Sequence, residues 1–185
     1  DVERSRGLGD VYKRQAFGDG VFKSENGGKS WKNMGLRKSE HISEIIVHPN
    51  NSNIIWAASQ GPLWSPGGER GLYKSIDGGE NWKKVLGGGK WTGVTDIHMD
   101  PRNPDRIYAA TWQRHRTVAA LMGGGPESGL HRSEDGGETW TELKSGLPNY
   151  AGKIGFTLSP QKPDVLYASI ELEKRNGAVY KSEDR

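Results

Sequence analysis

One octapeptide recurs along the chain: Ser24-Glu-Asn-Gly-Gly-Lys-Ser-Trp31, Ser75-Ile-Asp-Gly-Gly-Glu-Asn-Trp82 and Ser133-Glu-Asp-Gly-Gly-Glu-Thr-Trp140. A fourth copy opens at Ser182-Glu-Asp184, and Arg185 follows where the pattern has Gly. The copies start about fifty residues apart, which is the spacing of a propeller blade rather than of a helical solenoid. Each is preceded by an alternating segment, Gly20-Val-Phe-Lys23, Gly71-Leu-Tyr-Lys74, Gly129-Leu-His-Arg132 or Gly177-Ala-Val-Tyr-Lys181, the pattern of a half-buried strand. Two further runs recur upstream of these. Ile45-Ile-Val-His-Pro49, Ile97-His-Met-Asp-Pro101 and Phe156-Thr-Leu-Ser-Pro160 each lead through a polar turn into Ile54-Ile-Trp-Ala-Ala58, Ile107-Tyr-Ala-Ala110 and Leu166-Tyr-Ala-Ser169. One repeat is therefore four strands, and the fold class is all-β with four-stranded antiparallel blades.

The octapeptide is a hairpin turn between the third and fourth strands. Asn26, Asp77 and Asp135 are expected to accept hydrogen bonds from backbone amides two or three residues on, and the paired glycines supply positive φ. Trp82 and Trp140 are expected to cover the neighbouring seam. Composition agrees with many short strands: 27 of 185 residues are Gly and seven are Trp. The 26 Lys+Arg against 23 Asp+Glu leave a net charge of only +3, and no reading motif is present, so nucleic acid is excluded as the expected partner. There is no cysteine, hence no disulfide or thiolate site. No apolar run is long enough for a membrane span.

In these repeats the chain resembles the Asp-box β-propellers, whose S-x-D-x-G-x-T-W signature matches residues 24–31, 75–82 and 133–140. Residues 101–110 and 112–128 resemble more narrowly the bacterial sortilin-like propeller proteins often labelled glycosyl hydrolases. The resemblance implies that Ser24, Asn26, Gly28 and Trp31, then Ser75, Asp77, Gly79 and Trp82, then Ser133, Asp135, Gly137 and Trp140, and finally Ser182 and Asp184, are structural. It also implies an extracytoplasmic setting. Residues 16–185 make about three blades of a partial propeller, whose blades at either end are expected to meet further blades of the same protein. Residues 1–15 match no repeat position, resemble an assembly-derived leader, and are set aside.

Strand parity locates function. In an up-and-down blade the octapeptide turns and the Pro49, Pro101 and Pro160 turns share one face, and the irregular loops share the other. The loop face collects Arg37, Lys38, His41, Lys90 and Tyr150, and above all Trp64, Trp91, Trp112, Arg114, His115 and Arg116, the expected ligand-binding residues. Trp stacks on sugar rings or clamps peptides, and Arg grips carboxylates. The expected function is that of a binding or scaffold module recognising peptide or protein on this face, the partner being a peptide, protein or glycan, with no cofactor. No metal site is expected, because the five histidines fall on different elements. The weaker alternative is glycoside hydrolysis of a β-glucan. Aligned on Pro49 and Pro101, Glu44 and Asp96 occupy equivalent inner-strand positions, where two acids about 5 to 9.5 Å apart would serve as an acid/base pair. The third repeat carries Gly155 there.

Overall fold

The computed structural model describes residues 17–184, so the 1–15 leader and Arg185 lie outside the described residues. A hairpin of β1 (Phe22–Lys23) and β2 (Lys32–Asn33) comes first. The first blade is β3 (Ile42–Val47), β4 (Ile55–Ser59), β5 (Gly71–Ser75) and β6 (Lys83–Leu86), hydrogen-bonded in that order. The second joins β7 (Thr92–Asp100) and β8 (Asn103–Gln113), interposes a small hairpin of β9 (His115–Arg116) and β10 (Leu121–Met122), then completes the sheet with β11 (Gly129–Ser133) and β12 (Thr141–Leu143). A three-stranded sheet of β13 (Ile154–Leu158), β14 (Leu166–Glu171) and β15 (Gly177–Ser182) follows. Every pairing is antiparallel, and the four-strand reading of the repeat is met in both complete blades.

The small residues of the second strands now have a reason. β4 and β8 are covered on both faces by neighbouring sheets, and Ala57, Ala58, Ala109 and Ala110 are fully buried. Alternate residues look in opposite directions, as the pleat requires. Ala57 packs back toward Val21, Met34 and Leu36, whereas Trp56 and Ala58 pack forward onto Val94, Ile97 and Ile107 of the next blade. Tyr108 and Ala110 repeat the forward step onto Ile154, Phe156 and Ile170. Burial of each large aliphatic or aromatic side chain here contributes about 1.5–3 kcal/mol, and each alanine methyl under about 1 kcal/mol, so the inter-blade seams are the core.

The octapeptides form the expected turns. Ser133 Oγ accepts from Gly137 N (2.8 Å) and donates to Asp135 Oδ1 (2.7 Å); Ser75 does the same with Gly79 and Asp77. The carboxylates reach further than expected, to amides three and four residues on: Asp135 Oδ1 accepts from Glu138 N and Thr139 N, and Asp77 Oδ1 from Asn81 N. The last opening, Ser182 Oγ to Asp184 Oδ1 at 2.9 Å, begins the same turn. Gly136 and Gly137 take φ of 69° and 88°, and a Cβ on Gly137 would stand 3.1 Å from Trp56 Nε1. That indole donates to Gly136 O, 3.2 Å away, so a second-strand tryptophan is hydrogen-bonded to the turn of the following blade. Trp82 Nε1 reaches back to Met34 O at 2.7 Å. Trp140 packs against the seam between the first and second blades, whereas Trp31 remains exposed. Parity also holds locally: Gly78 N donates to Asn53 O and Gly136 N to Asp105 O, which joins octapeptide and proline-led turns on one face.

Candidate functional site

On the opposite face three loops are tied into one surface. Arg70 is buried and organises the loop before β5, its guanidinium donating to the carbonyls of Gln60 (2.7 Å), Ser65 (2.9 Å) and Pro62. Burial, followed by the nearby Arg114 charge, lowers its pKa. The inter-blade loop at 87–91 is held from both sides. Gly67 N donates to Lys90 O (2.7 Å), and Arg114 N donates to Trp91 O (3.0 Å). Glu127, from the loop before β11, accepts from Gly89 N (3.0 Å) and from the Thr92 hydroxyl.

The rings settle on this frame. Trp91 and His115 stack with centroids 3.8 Å apart at 26°. Arg116 lies over Trp64 at 4.7 Å, Arg114 over Trp112 at 5.1 Å, and Arg70 over Trp91 at 5.9 Å. Trp112 donates from Nε1 to Gly123 O (2.7 Å), and Lys153 lies over its ring at 5.8 Å. The expected ligand residues Trp64, Trp91, Arg114, His115 and Arg116 are thus gathered by ring contacts across two blades, with Trp112 joined through Arg114 and turned toward the third sheet. Others of the expected set stand apart. Arg37 pairs with Asp19 (3.2 Å), and His41 contacts Gly61 O and the Phe17 ring. Sequence reasoning did not single out Arg70, Glu127 or Lys153. The available signal for Arg70 was a lone cation closing a Pro- and Gly-rich loop whose carbonyls need donors.

Glu44 and Asp96 meet beside the inner strands. Each follows a register shift, between Ile42 and Glu44 in β3 and between Val94 and Asp96 in β7. Glu44 Oε2 accepts from Ile97 N at 3.3 Å, and Asp96 Oδ2 accepts from Phe156 N at 2.9 Å, so each acid fastens its blade to the next inner strand. His98, two residues along the same strand, places Nε2 3.3 Å from Asp96 Oδ1. One ligand-type atom from each of Glu44, Asp96 and His98 lies within 4.8 Å of the others, so these half-buried side chains are able to converge on one cation. The sequence offered no metal spacing because the convergence crosses from one blade to the next. Burial pushes the Glu44 carboxyl up, and its contact with Asp96 adds to that. Burial opposes charge on Asp96 as well, but hydrogen bonds from His98 and Phe156 N outweigh it and hold the group below its ordinary value. The Asp96 contact raises His98 against the effect of burial. The two environments push in opposite directions, Glu44 up and Asp96 down.

Residues 19–185 match the profile of the Sortilin-Vps10 family, described as sortilin, neurotensin receptor 3. A probable oligoxyloglucan-reducing end-specific xyloglucanase of Neosartorya fischeri is 23% identical over 175 residues, covering 84% of this chain and 18% of its own length. Among solved structures, an ancestral GH74 enzyme superposes with a TM-score of 0.67 at 22% identity, covering 90% of this chain and 20% of the enzyme. The GH74 xyloglucanase of Xanthomonas campestris gives 0.64 at 17% identity, covering 92% of this chain and 26% of the enzyme. The Niastella koreensis GH74 enzyme gives 0.57 at 18%, with coverages of 90% and 25%. At these identities the structural likeness shows the β-propeller fold alone, and the chain spans about a quarter or less of each relative.

Proposed function

Because the chain belongs to the Sortilin-Vps10 family, we propose that it is a recognition module whose loop face captures a polymeric ligand, polypeptide or glycan, outside the cytoplasm. One observation carries the reading: rings and cations from three loops, Trp64, Trp91, His115 and Arg116, meet on a frame already fixed by backbone hydrogen bonds. Preorganisation of this kind lowers the ordering cost of binding. Among the described residues the cluster is made of rings and cations, which suit contact with a ligand.

Hydrolysis at Glu44 and Asp96 is the second reading, favoured by their convergence across two blades and by the xyloglucanase relative. Against it, both carboxylates already accept backbone amides of the next blade. The test measures capture and turnover side by side on immobilised polysaccharides and peptides. W64A/W91A is expected to lose capture, while E44Q/D96N keeps it. Wild-type release of reducing ends from xyloglucan, abolished in E44Q/D96N, would replace recognition with hydrolysis.

A further inference from the structure

The guanidiniums of the loop face divide into two kinds. Arg70 uses its donors inward, on three carbonyls. Arg114 and Arg116 instead lie over Trp112 and Trp64, and among the described residues their side chains meet no carboxylate or carbonyl acceptor. A guanidinium held against an indole keeps its plane fixed while its edge still carries N–H donors, which is the geometry that binds a carboxylate through two parallel hydrogen bonds. The acids nearby are committed elsewhere: Glu127 to Gly89 N and Thr92, Glu69 to Lys38 N. Arg116 acts on Arg114, and Arg114 on Arg70, as like charges, with Glu40 opposing at Arg70, so three guanidiniums lie close together on a chain of nearly neutral net charge.

We propose that this surface takes an anionic glycan, a uronic-acid-bearing polysaccharide, with Arg114 and Arg116 gripping carboxylates and the exposed part of Trp64 and the Trp91–His115 stack supporting sugar rings. The assignment rests on the loop face being the binding surface and names its ligand. An acidic peptide gripped by the arginines alone would leave the rings unused, whereas a uronic acid offers a ring face and a carboxylate in one unit. A peptide added as a strand needs a free sheet edge. Here Gly67 N to Lys90 O and Arg114 N to Trp91 O have already closed the backbone edges between the loops.

The experiment titrates the chain with polygalacturonate, neutral xyloglucan and poly-L-glutamate at low and high salt. Polygalacturonate is expected to bind more tightly than either of the others and to weaken as salt rises. R114Q/R116Q is expected to lose about tenfold or more of that affinity, in keeping with the loss of charge-assisted pairs, with an unchanged unfolding curve. Xyloglucan bound as tightly as polygalacturonate, with both lost in W64A, would overturn the anionic assignment and leave loop-face recognition standing. Tighter binding of poly-L-glutamate would overturn the glycan in favour of an acidic peptide. No binding of any of the three, or binding indifferent to W64A and to R114Q/R116Q, would overturn both the assignment and the surface.

Discussion

On the Asp-box face Asp135 accepts from Ser133 Oγ, Glu138 N, Thr139 N and Thr139 Oγ1. On the loop face Arg114 and Arg116 rest on tryptophans with their donors directed to no acceptor among the described residues. The Asp-box turns satisfy their polar groups internally, whereas the loop face, though its backbone and Arg70 are bonded, keeps the donors of Arg114 and Arg116 open among the described residues. The Asp-box end also reaches across blades: Lys74 and Lys83 meet Glu138 at 2.8 and 2.9 Å, and Arg102 bridges Asp100 and Asp164. Stability is therefore expected to depend on one face and ligand capture on the other.

Trp56→Ala gives the sharpest version of that contrast. It empties a fully buried site and breaks the bond to Gly136 O. A loss of about 3–5 kcal/mol is expected, read from chemical unfolding. A loss under about 1 kcal/mol would mean that the seam is not the core.

Asp100→Asn is expected to cost about 2 kcal/mol, the scale of hydrogen bonds to charged groups. Its side chain is fully buried between Arg102 and Arg106. Hydrogen bonds from Arg102, opposed by burial, bring its pKa down to about 2. A depressed carboxylate stabilises above its unfolded value of 3.8 and ceases to do so as pH falls through about 2. The wild-type advantage over the variant should accordingly be full at neutral pH and disappear across that acid window in thermal melts. A difference that persists below it would detach the effect from the carboxylate charge.

The smallest effect on stability is expected from Trp64→Ala, within about 0.5 kcal/mol of wild type, because the ring is 39% exposed and held at the surface by Arg116. Unfolding and ligand capture measured on the same preparation should separate cleanly. If the variant unfolds early, Trp64 belongs to the scaffold and the two faces are less distinct than described.

Much of this was legible in the residues. The strands Gly71–Ser75 and Gly129–Ser133, the Ser-x-Asp turns and their side of the blade follow from pleat sterics and local turn chemistry, which act within a few residues. Burial in these two strands does not alternate as expected, because blades cover both of their faces. The ring-bearing loops were also legible as a class, since parity alone put Trp64, Trp91 and His115 on one face. Their pairing was not. Nothing near Trp64 announces Arg116, and nothing near Glu44 announces His98.

The sequence by itself determined the repeat, the four-strand blade, the hairpin at each octapeptide and the face on which irregular loops emerge. Tertiary structure alone decided that Trp56 would bond a carbonyl 80 residues away, that Arg70 would turn inward while Arg116 stayed open, and that two acids would fasten successive inner strands. The reason is range. Turn and pleat preferences are properties of adjacent residues, whereas these meetings depend on how twisted sheets stack, a geometry fixed only when the whole set of seams packs together.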